Sequence, residues 1–262
     1  MRIAKPRALF FLLLGISCVL ILGVVLNAYS FGRSAFVAGN YKTARTWYLV
    51  AATLGNKRAQ NNLANLYADG LGAAKNYVLA ALLFQKAADN DLAAAKFNLA
   101  NLYQDGKGVP QNTAKAVELF KSAAAQGDIE SIFNLGQIYA TGRSDFAKNP
   151  EQAITWYQKA AERGYASAQY NLGSIYSQGV DAPKDMLEAG KWFHKAAQQG
   201  HAKAEMDLGT MYAYGWGYDK DPAQALEWLV KAAAKPATAF KARQLMEMIC
   251  GTNDIEMCRK LQ

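Results

Sequence analysis

The chain has few of the residues that build metal sites and disulfide frameworks. Its 262 residues include only three cysteines and two histidines, and no Cys-x-x-Cys pair occurs. This composition excludes a disulfide-framework fold and a zinc site of the Cys-x-x-Cys kind. The six prolines and 21 glycines exclude collagen-like sequences, and 52% hydrophobic residues exclude a disordered chain. We therefore predict a folded protein without a bound metal or other cofactor.

The basic charge is concentrated at the N-terminus. The net charge is +8, but Arg2, Lys5 and Arg7 lie in a first segment of 30 residues that contains no acidic residue. The rest of the chain has 26 basic and 21 acidic residues, which are mixed along the sequence. This mixture does not form the basic stripe that nucleic-acid binding requires, so we predict no nucleic-acid partner.

The sequence contains no recognisable catalytic motif. Neither Gly-x-Ser-x-Gly, His-Glu-x-x-His, a P-loop nor Gly-x-Gly-x-x-Gly occurs. His194 and His201 lie on either side of Gly200, at a predicted helix end, which favours surface histidines over metal ligands. Asp185 and Glu188 occupy positions that a helix cap and a capping box require. We predict a non-enzymatic protein with no small-molecule substrate.

A single apolar segment near the N-terminus predicts a membrane anchor. Residues 8–28 read ALFFLLLGISCVLILGVVLNA and contain no charge. As a helix they would extend roughly 30 Å, the thickness of a bilayer core. Basic residues before the span place the tail 1–7 in the cytoplasm and everything after residue 28 outside. Two alternatives remain: a cleaved signal peptide, for which Leu26-Asn27-Ala28 is a poor cleavage site, and a lipoprotein signal at Cys18.

A repeat of about 36 residues fills the rest of the chain. Each copy has a leucine, a tyrosine four residues later and a glycine seven residues later. The leucines, at spacings of 36, 36, 37 and 36, are Leu63, Leu99, Leu135, Leu172 and Leu208. The tyrosines are Tyr67, Tyr103, Tyr139, Tyr176 and Tyr212, and the glycines are Gly70, Gly106, Gly142, Gly179 and Gly215. This spacing predicts the first helix of each repeat.

A second motif alternates with the first and ends in a pair of alanines. One turn before each pair lies an aromatic residue or a leucine, namely Trp47, Leu83, Leu119, Trp156, Trp192 and Trp228. Seven residues before each of these lies an Asn or Asp, the residue types that cap helix N-termini. These predicted caps are Asn40, Asn76, Asn112, Asn149, Asp185 and Asp221. Each repeat is therefore predicted to be two antiparallel helices that bury their apolar stripes against neighbouring repeats.

The two motifs together resemble the Sel1-like repeat family, which is related to tetratricopeptide repeats. The resemblance implies an all-α fold, a right-handed α-solenoid of helix-turn-helix repeats that assembles other proteins. It covers residues 34–236, as a leading second helix and five full repeats. The segment 29–33 is interpreted as a short linker after the membrane helix, and 237–262 as C-terminal capping helices.

Two cysteines lie outside the repeats. Cys250 and Cys258 are eight residues apart, and Gly251 followed by Asn253 or Asp254 can separate two short helices. Cysteine-rich members of the Sel1-like family join hairpin cysteines at this spacing. The resemblance and the expected oxidising compartment therefore favour a disulfide that closes the last hairpin. Two buried thiols are the alternative.

A row of polar residues, which we call the polar ladder, marks the predicted working surface. One set precedes the central leucine of each first helix and a second set follows it by two residues. The members that we assign to a protein-binding groove are Asn62, Asn65, Asn98, Asn101, Asn134, Gln137, Asn171 and Asp207. Ser174 and Thr210 continue the second set. An amide both donates and accepts, so this row could pair with an extended partner. Alternatively, the amides satisfy neighbouring repeats.

The apolar segment and the basic residues before it predict a single-pass membrane protein with its repeats outside the cytoplasm. The resemblance implies a bacterial envelope, and hence an inner-membrane protein with periplasmic repeats. Its predicted role is a non-catalytic adaptor or scaffold that binds other envelope or membrane proteins. One alternative is a secreted or surface protein that contacts host proteins after N-terminal cleavage. Another is an enzyme or regulator of cell-wall or β-lactam metabolism, which would need a buried nucleophile or acid pair that the sequence does not offer.

Overall fold

The computed structural model describes residues 23–24, 27–252 and 258. This part of the chain contains thirteen α-helices. They are α1 (Ala28–Val37), α2 (Tyr41–Thr53), α3 (Lys57–Asp69), α4 (Tyr77–Asp89), α5 (Ala93–Asp105), α6 (Thr113–Ala125), α7 (Ile129–Thr141), α8 (Pro150–Glu162), α9 (Ala166–Gln178), α10 (Met186–Gln198), α11 (Ala202–Tyr214), α12 (Pro222–Ala233) and α13 (Ala239–Thr252).

The helices form consecutive antiparallel hairpins in two compact units, one ending at residue 128 and the other beginning at residue 129. In the first unit, α1–α6 form three hairpins, and each helix packs against the next. In the second unit, α7–α12 form three more hairpins, and α13 packs against α12. The predicted all-α repeat fold of the solenoid class is confirmed.

All six predicted N-caps of the second helices are confirmed. In each case the side-chain oxygen accepts a backbone N–H from the first turn at 2.9–3.3 Å. Four of the second helices are followed by a glycine with positive φ, at positions 55, 127, 164 and 200. Asp91, which interrupts that glycine pattern, adopts the same left-handed conformation with φ 58° and pairs with Lys96. The local signals therefore fix the helix ends.

The repeat leucines and small residues form the core. Leu63, Leu99 and their three equivalents are at most 1% exposed. Small residues in the first helices admit the rings of second helices, since a Cβ on Gly173 would lie 2.6 Å from Cδ1 of Phe193. This close approach of ring to backbone fixes how α9 lies on α10.

Helix α1 corrects two predictions about the start of the repeats. Residues 29–33 are helical and not a linker, and the leading half-repeat is a complete hairpin formed by α1 and α2. Ala28 and Gly32 are buried one turn apart, and Gly32 lies directly against the ring of Tyr48. Phe31 packs against Trp47 with ring centroids 5.1 Å apart. Burial of Ala28 and Gly32 and the packing of Phe31 on Trp47 stabilise a helix at a position where the repeat leucine is absent.

The predicted membrane span mostly lies outside the described residues. Only positions 23, 24, 27 and 28 of the segment 8–28 are described, and the tail 1–7 is not. Among the described residues, no helix combines the length and the apolar character needed to cross a membrane. The anchor and its topology therefore stay predictions.

A disulfide joins Cys250 at the end of α13 to Cys258, with their Cα atoms 5.5 Å apart. Thr238 lies directly before α13, and its buried hydroxyl donates to the carbonyl oxygen of Ala232 at 2.6 Å. Ile249 and Cys258 are buried against α12 and α13 residues of the same apolar cluster. Helix α13 thus covers apolar residues of α12 in the second unit.

Candidate protein-interaction site

In the first unit, part of the polar ladder is used to join successive repeats. The Nδ2 atom of Asn98 on α5 donates to Oδ1 of Asn61 at 3.0 Å and lies 3.4 Å from Oδ1 of Asn65, both on α3. Asn61 in turn donates to Oδ1 of Asn62 at 3.4 Å. These amides satisfy one another between helices, so their first role is structural.

Two ladder asparagines are paired with buried phenols. Tyr48 on α2 is hydrogen-bonded to Asn62, and Tyr157 on α8 is hydrogen-bonded to Asn171. Burial raises the pKa of Tyr157 to about 12, and the Asn171 hydrogen bond opposes that shift. Each tyrosine lies 14 residues before its asparagine. The other three repeats carry a phenylalanine at this spacing, and in one of them Phe193 precedes Asp207 instead of an asparagine. This spacing is a sequence signal that the initial interpretation missed.

The remaining ladder amides are available for a partner. Asn101 and Asn134 are half-buried and Gln137 is exposed. Within the part of the chain that the structure describes, their side chains form no hydrogen bond. The ladder is therefore divided: Asn62, Asn65, Asn98 and Asn171 are engaged, whereas these three side chains can still donate and accept.

The second unit contains a cleft that we call the α9/α11 cleft. Its volume is about 340 Å³, within the ~300–1,000 Å³ range of ordinary ligand pockets. The lining residues are Tyr170, Ser174, Ser177, Gln178, Lys184, Met186, Phe193, Asp207, Thr210, Met211 and Trp216. The cleft brings together the predicted residue Asp207 with Ser174 and Thr210 of the second ladder set. The sequence did not predict its aromatic and methionine lining.

A hydrogen-bonded chain ends on Asp207 in this cleft. Tyr170 is hydrogen-bonded to both Asp207 and Ser174. Because a carboxylate only accepts, the Tyr170 hydroxyl donates to Asp207, and the Ser174 hydroxyl donates to Tyr170. Burial raises the pKa of Asp207, while the Tyr170 hydrogen bond and the charges of Lys203 and Lys241 oppose the shift. The carboxylate is thus partly removed from water.

The rest of the cleft is apolar. Phe193 and Met211 are buried at its base, and Met186 is half-buried. Trp216, which is 49% exposed, stacks on Tyr214 with ring centroids 5.0 Å apart. This combination can hold a side chain that has an apolar stem and a polar end.

The histidines and the acid pair have structural contacts. The Nδ1 atom of His201 accepts the backbone N–H of Ala204 at 3.3 Å and caps α11, while His194 packs against Trp228. Asp185 caps α10, and Glu188 pairs with Lys191 at 3.1 Å. In the described ranges, no group of His, Cys, Asp and Glu side chains could hold a metal ion.

Comparisons with known proteins agree with this architecture. A sequence model of the Sel1 repeat family matches residues 20–56, 57–92, 93–128, 129–165, 166–201 and 202–236. The first of these six matches includes α1 and α2. A search of functionally curated proteins gives no match.

Solved structures of repeat proteins are similar to the chain. A Sel1 repeat protein from Oxalobacter formigenes is 30% identical, with a TM-score of 0.72, over 89% of this chain and 94% of that one. A protective antigen of uropathogenic Escherichia coli strains, which displays an SLR fold, is 27% identical with a TM-score of 0.56. That similarity covers 93% of this chain and 60% of the antigen.

Proposed function

Because this chain belongs to the Sel1 repeat family, we propose that it is a non-catalytic, membrane-anchored adaptor that binds other envelope proteins. Repeats of this family are suited to protein–protein interaction, which supports the general role. The partner would contact first helices of the repeats, through the α9/α11 cleft of the second unit and the ladder side chains near it.

The observation that carries this proposal is the α9/α11 cleft. It lies between two successive first helices, and it combines ladder side chains with exposed aromatic surface. A groove with polar groups above an apolar base is the arrangement that extended segments of partner proteins use. In the same unit, the unpaired amides of Asn134 and Gln137 would supply additional contacts.

The proposed compartment is the periplasm, with the N-terminus in the cytoplasm. Support comes from Arg2, Lys5 and Arg7 before the apolar segment and from the Cys250–Cys258 disulfide, which suits an oxidising environment. A reporter that is active only in the periplasm, fused after residue 262, tests the topology. An inactive fusion would contradict it.

Capture from solubilised envelope membranes tests the adaptor role. The bait is the full chain, compared with Ser174→Trp, which fills the cleft, and with Glu227→Trp, which adds the same ring to an exposed position on α12. Proteins that use the cleft should be retained by the wild type and the α12 control and lost with Ser174→Trp. Thermal melting of the three baits must be similar. Equal retention by all three would contradict the proposed site.

A further inference from the structure

Asp207 carries the one formal charge among the five ladder residues that directly precede a central leucine. The equivalent positions hold Asn62, Asn98, Asn134 and Asn171. The local structure does not require this charge, since an asparagine Oδ1 could accept the Tyr170 proton equally well. A charge at this position therefore has to be explained by something other than the repeat fold.

Thr210 and Ser177, which line the cleft together with Asp207, offer hydroxyl oxygens that act as acceptors. The hydroxyl of Thr210 donates to the carbonyl oxygen of Met206 at 2.8 Å, and that of Ser177 donates to the carbonyl oxygen of Ser174 at 3.0 Å. Their protons are used within their own helices, so both hydroxyls can only accept from a guest. The Ser174 hydroxyl likewise donates to Tyr170, and the Tyr170 hydroxyl donates to Asp207. The cleft is thus suited to a guest that donates several hydrogen bonds.

The carboxylate has no cation of its own. Among the described residues none forms an ion pair with Asp207, and Lys203 and Lys241 influence it only from a distance. Lys184, which also lines the cleft, is exposed. A partly buried carboxylate without a close counter-ion gains more from an arriving cation than an exposed one does.

We propose that the α9/α11 cleft receives an arginine side chain from an extended segment of the partner protein. The guanidinium donates to Asp207 and to the hydroxyl oxygens of Thr210 and Ser177, while the aliphatic stem packs on Met211 and the ring of Trp216. Arginine fits better than lysine because its planar group donates in several directions and stacks on an aromatic face. This inference rests on the proposed groove and names the chemistry that the groove selects.

Two matched peptides test the inference on the full chain in detergent. One is an acetylated and amidated nonapeptide of alternating Ser and Ala with a central arginine. The other carries citrulline, the neutral isostere, at the same position. We expect the wild type to bind the arginine peptide at least about 10-fold more tightly, and the preference to shrink in 0.5 M salt because the attraction is ionic.

Asp207→Asn is the decisive variant, because it places at position 207 the asparagine that the other four repeats carry at the equivalent position. It should bind the two peptides with similar affinity and melt no lower than the wild type. If the variant keeps the arginine preference, or if the wild type binds both peptides equally, the charge inference is overturned while the groove stands. If the wild type binds neither peptide up to millimolar concentration, both the inference and the proposed use of this cleft are overturned.

Discussion

Asn98 on α5 donates its side-chain N–H to Oδ1 of Asn61 on α3 at 3.0 Å and thereby joins two successive repeats. The polar ladder therefore serves the fold at some positions and is available to a partner at others. Stability measurements can separate these two classes of residue.

We predict that Asn98→Ala lowers the free energy of unfolding by about 0.5–1.5 kcal/mol, because it leaves Asn61 and Asn65 without their donor. Asn101→Ala, one turn along the same helix, should change it by less than about 0.5 kcal/mol. Urea titration of the full chain measures both.

Leu99→Ala is the control for core loss, with an expected cost of about 2–5 kcal/mol. Equal effects of the two asparagine variants would show that the ladder is not divided in this way.

Asp207→Asn should stabilise the chain at neutral pH. Burial raises the pKa of Asp207 in the folded state, so folding favours the protonated carboxyl. Stability therefore falls as the pH rises from the unfolded to the folded pKa, and the loss persists at neutral pH. The melting temperature of the variant should exceed that of the wild type at pH 7, by a margin that shrinks toward pH 3. A variant that melts lower at pH 7 would contradict this account of the carboxylate.

The cap of α11 should make stability sensitive to mild acid. Burial lowers the pKa of His201, and its Nδ1 accepts the Ala204 N–H only while unprotonated. Below the unfolded pKa of about 6.5 the unfolded state binds the proton more readily. The stabilisation is therefore present above that pH and decreases as the pH falls to 5.

A matched variant isolates this effect. His201→Asn provides the cap that Asn56 supplies at α3, where the side chain accepts from Ala59 at 2.9 Å. It should lose less stability between pH 8 and pH 5 than the wild type, as measured by thermal melting. The same pH dependence in both proteins would assign the effect to other groups.

Lys235 neutralises a buried acid. Its Nζ atom lies 2.6 Å from Oε1 of Glu205, whose side chain is 4% exposed, and it also donates to the carbonyl oxygen of Gly200 at 2.7 Å. Lys235→Met leaves Glu205 without its cation and should lower the free energy of unfolding by about 3 kcal/mol.

A second change should reverse most of that loss. Gln60 and Gln169 occupy the equivalent position in other first helices and donate to carbonyl oxygens of the preceding helix. Adding Glu205→Gln to Lys235→Met removes the unpaired charge and should restore about half or more of the stability in urea titrations. A double variant as unstable as the single one would indicate that Lys235 acts through packing alone.

The repeat fold could be predicted from the sequence because its signals are local and recur in phase. The leucine, tyrosine and glycine spacing identified the first helices, and six cap residues located the second ones. Helix α1 was missed because Asn27 stands where the repeat leucine is expected. Its helical state depends on the contacts of Ala28, Gly32 and Phe31 with α2, which periodicity does not report.

The candidate site was predictable only in part. The polar ladder can be read from the sequence, but the partners of its amides depend on neighbouring helices. Asn62 and Asn171 bond to tyrosines of the preceding helix, and Asn98 bonds to amides one repeat earlier. The apolar lining of the α9/α11 cleft includes Trp216, which lies in the loop after α11, so helical periodicity could not have included it.

Site-specific photo-cross-linking of the full chain in its own membrane tests the central claim most directly. A photoreactive phenylalanine analogue replaces Gln178, an exposed residue that lines the cleft, or Glu227, an exposed residue on α12. We predict that irradiation joins a discrete partner protein to the position 178 variant and not to the position 227 variant. Cross-links from position 227 alone would place the partner on the second helices and contradict the account.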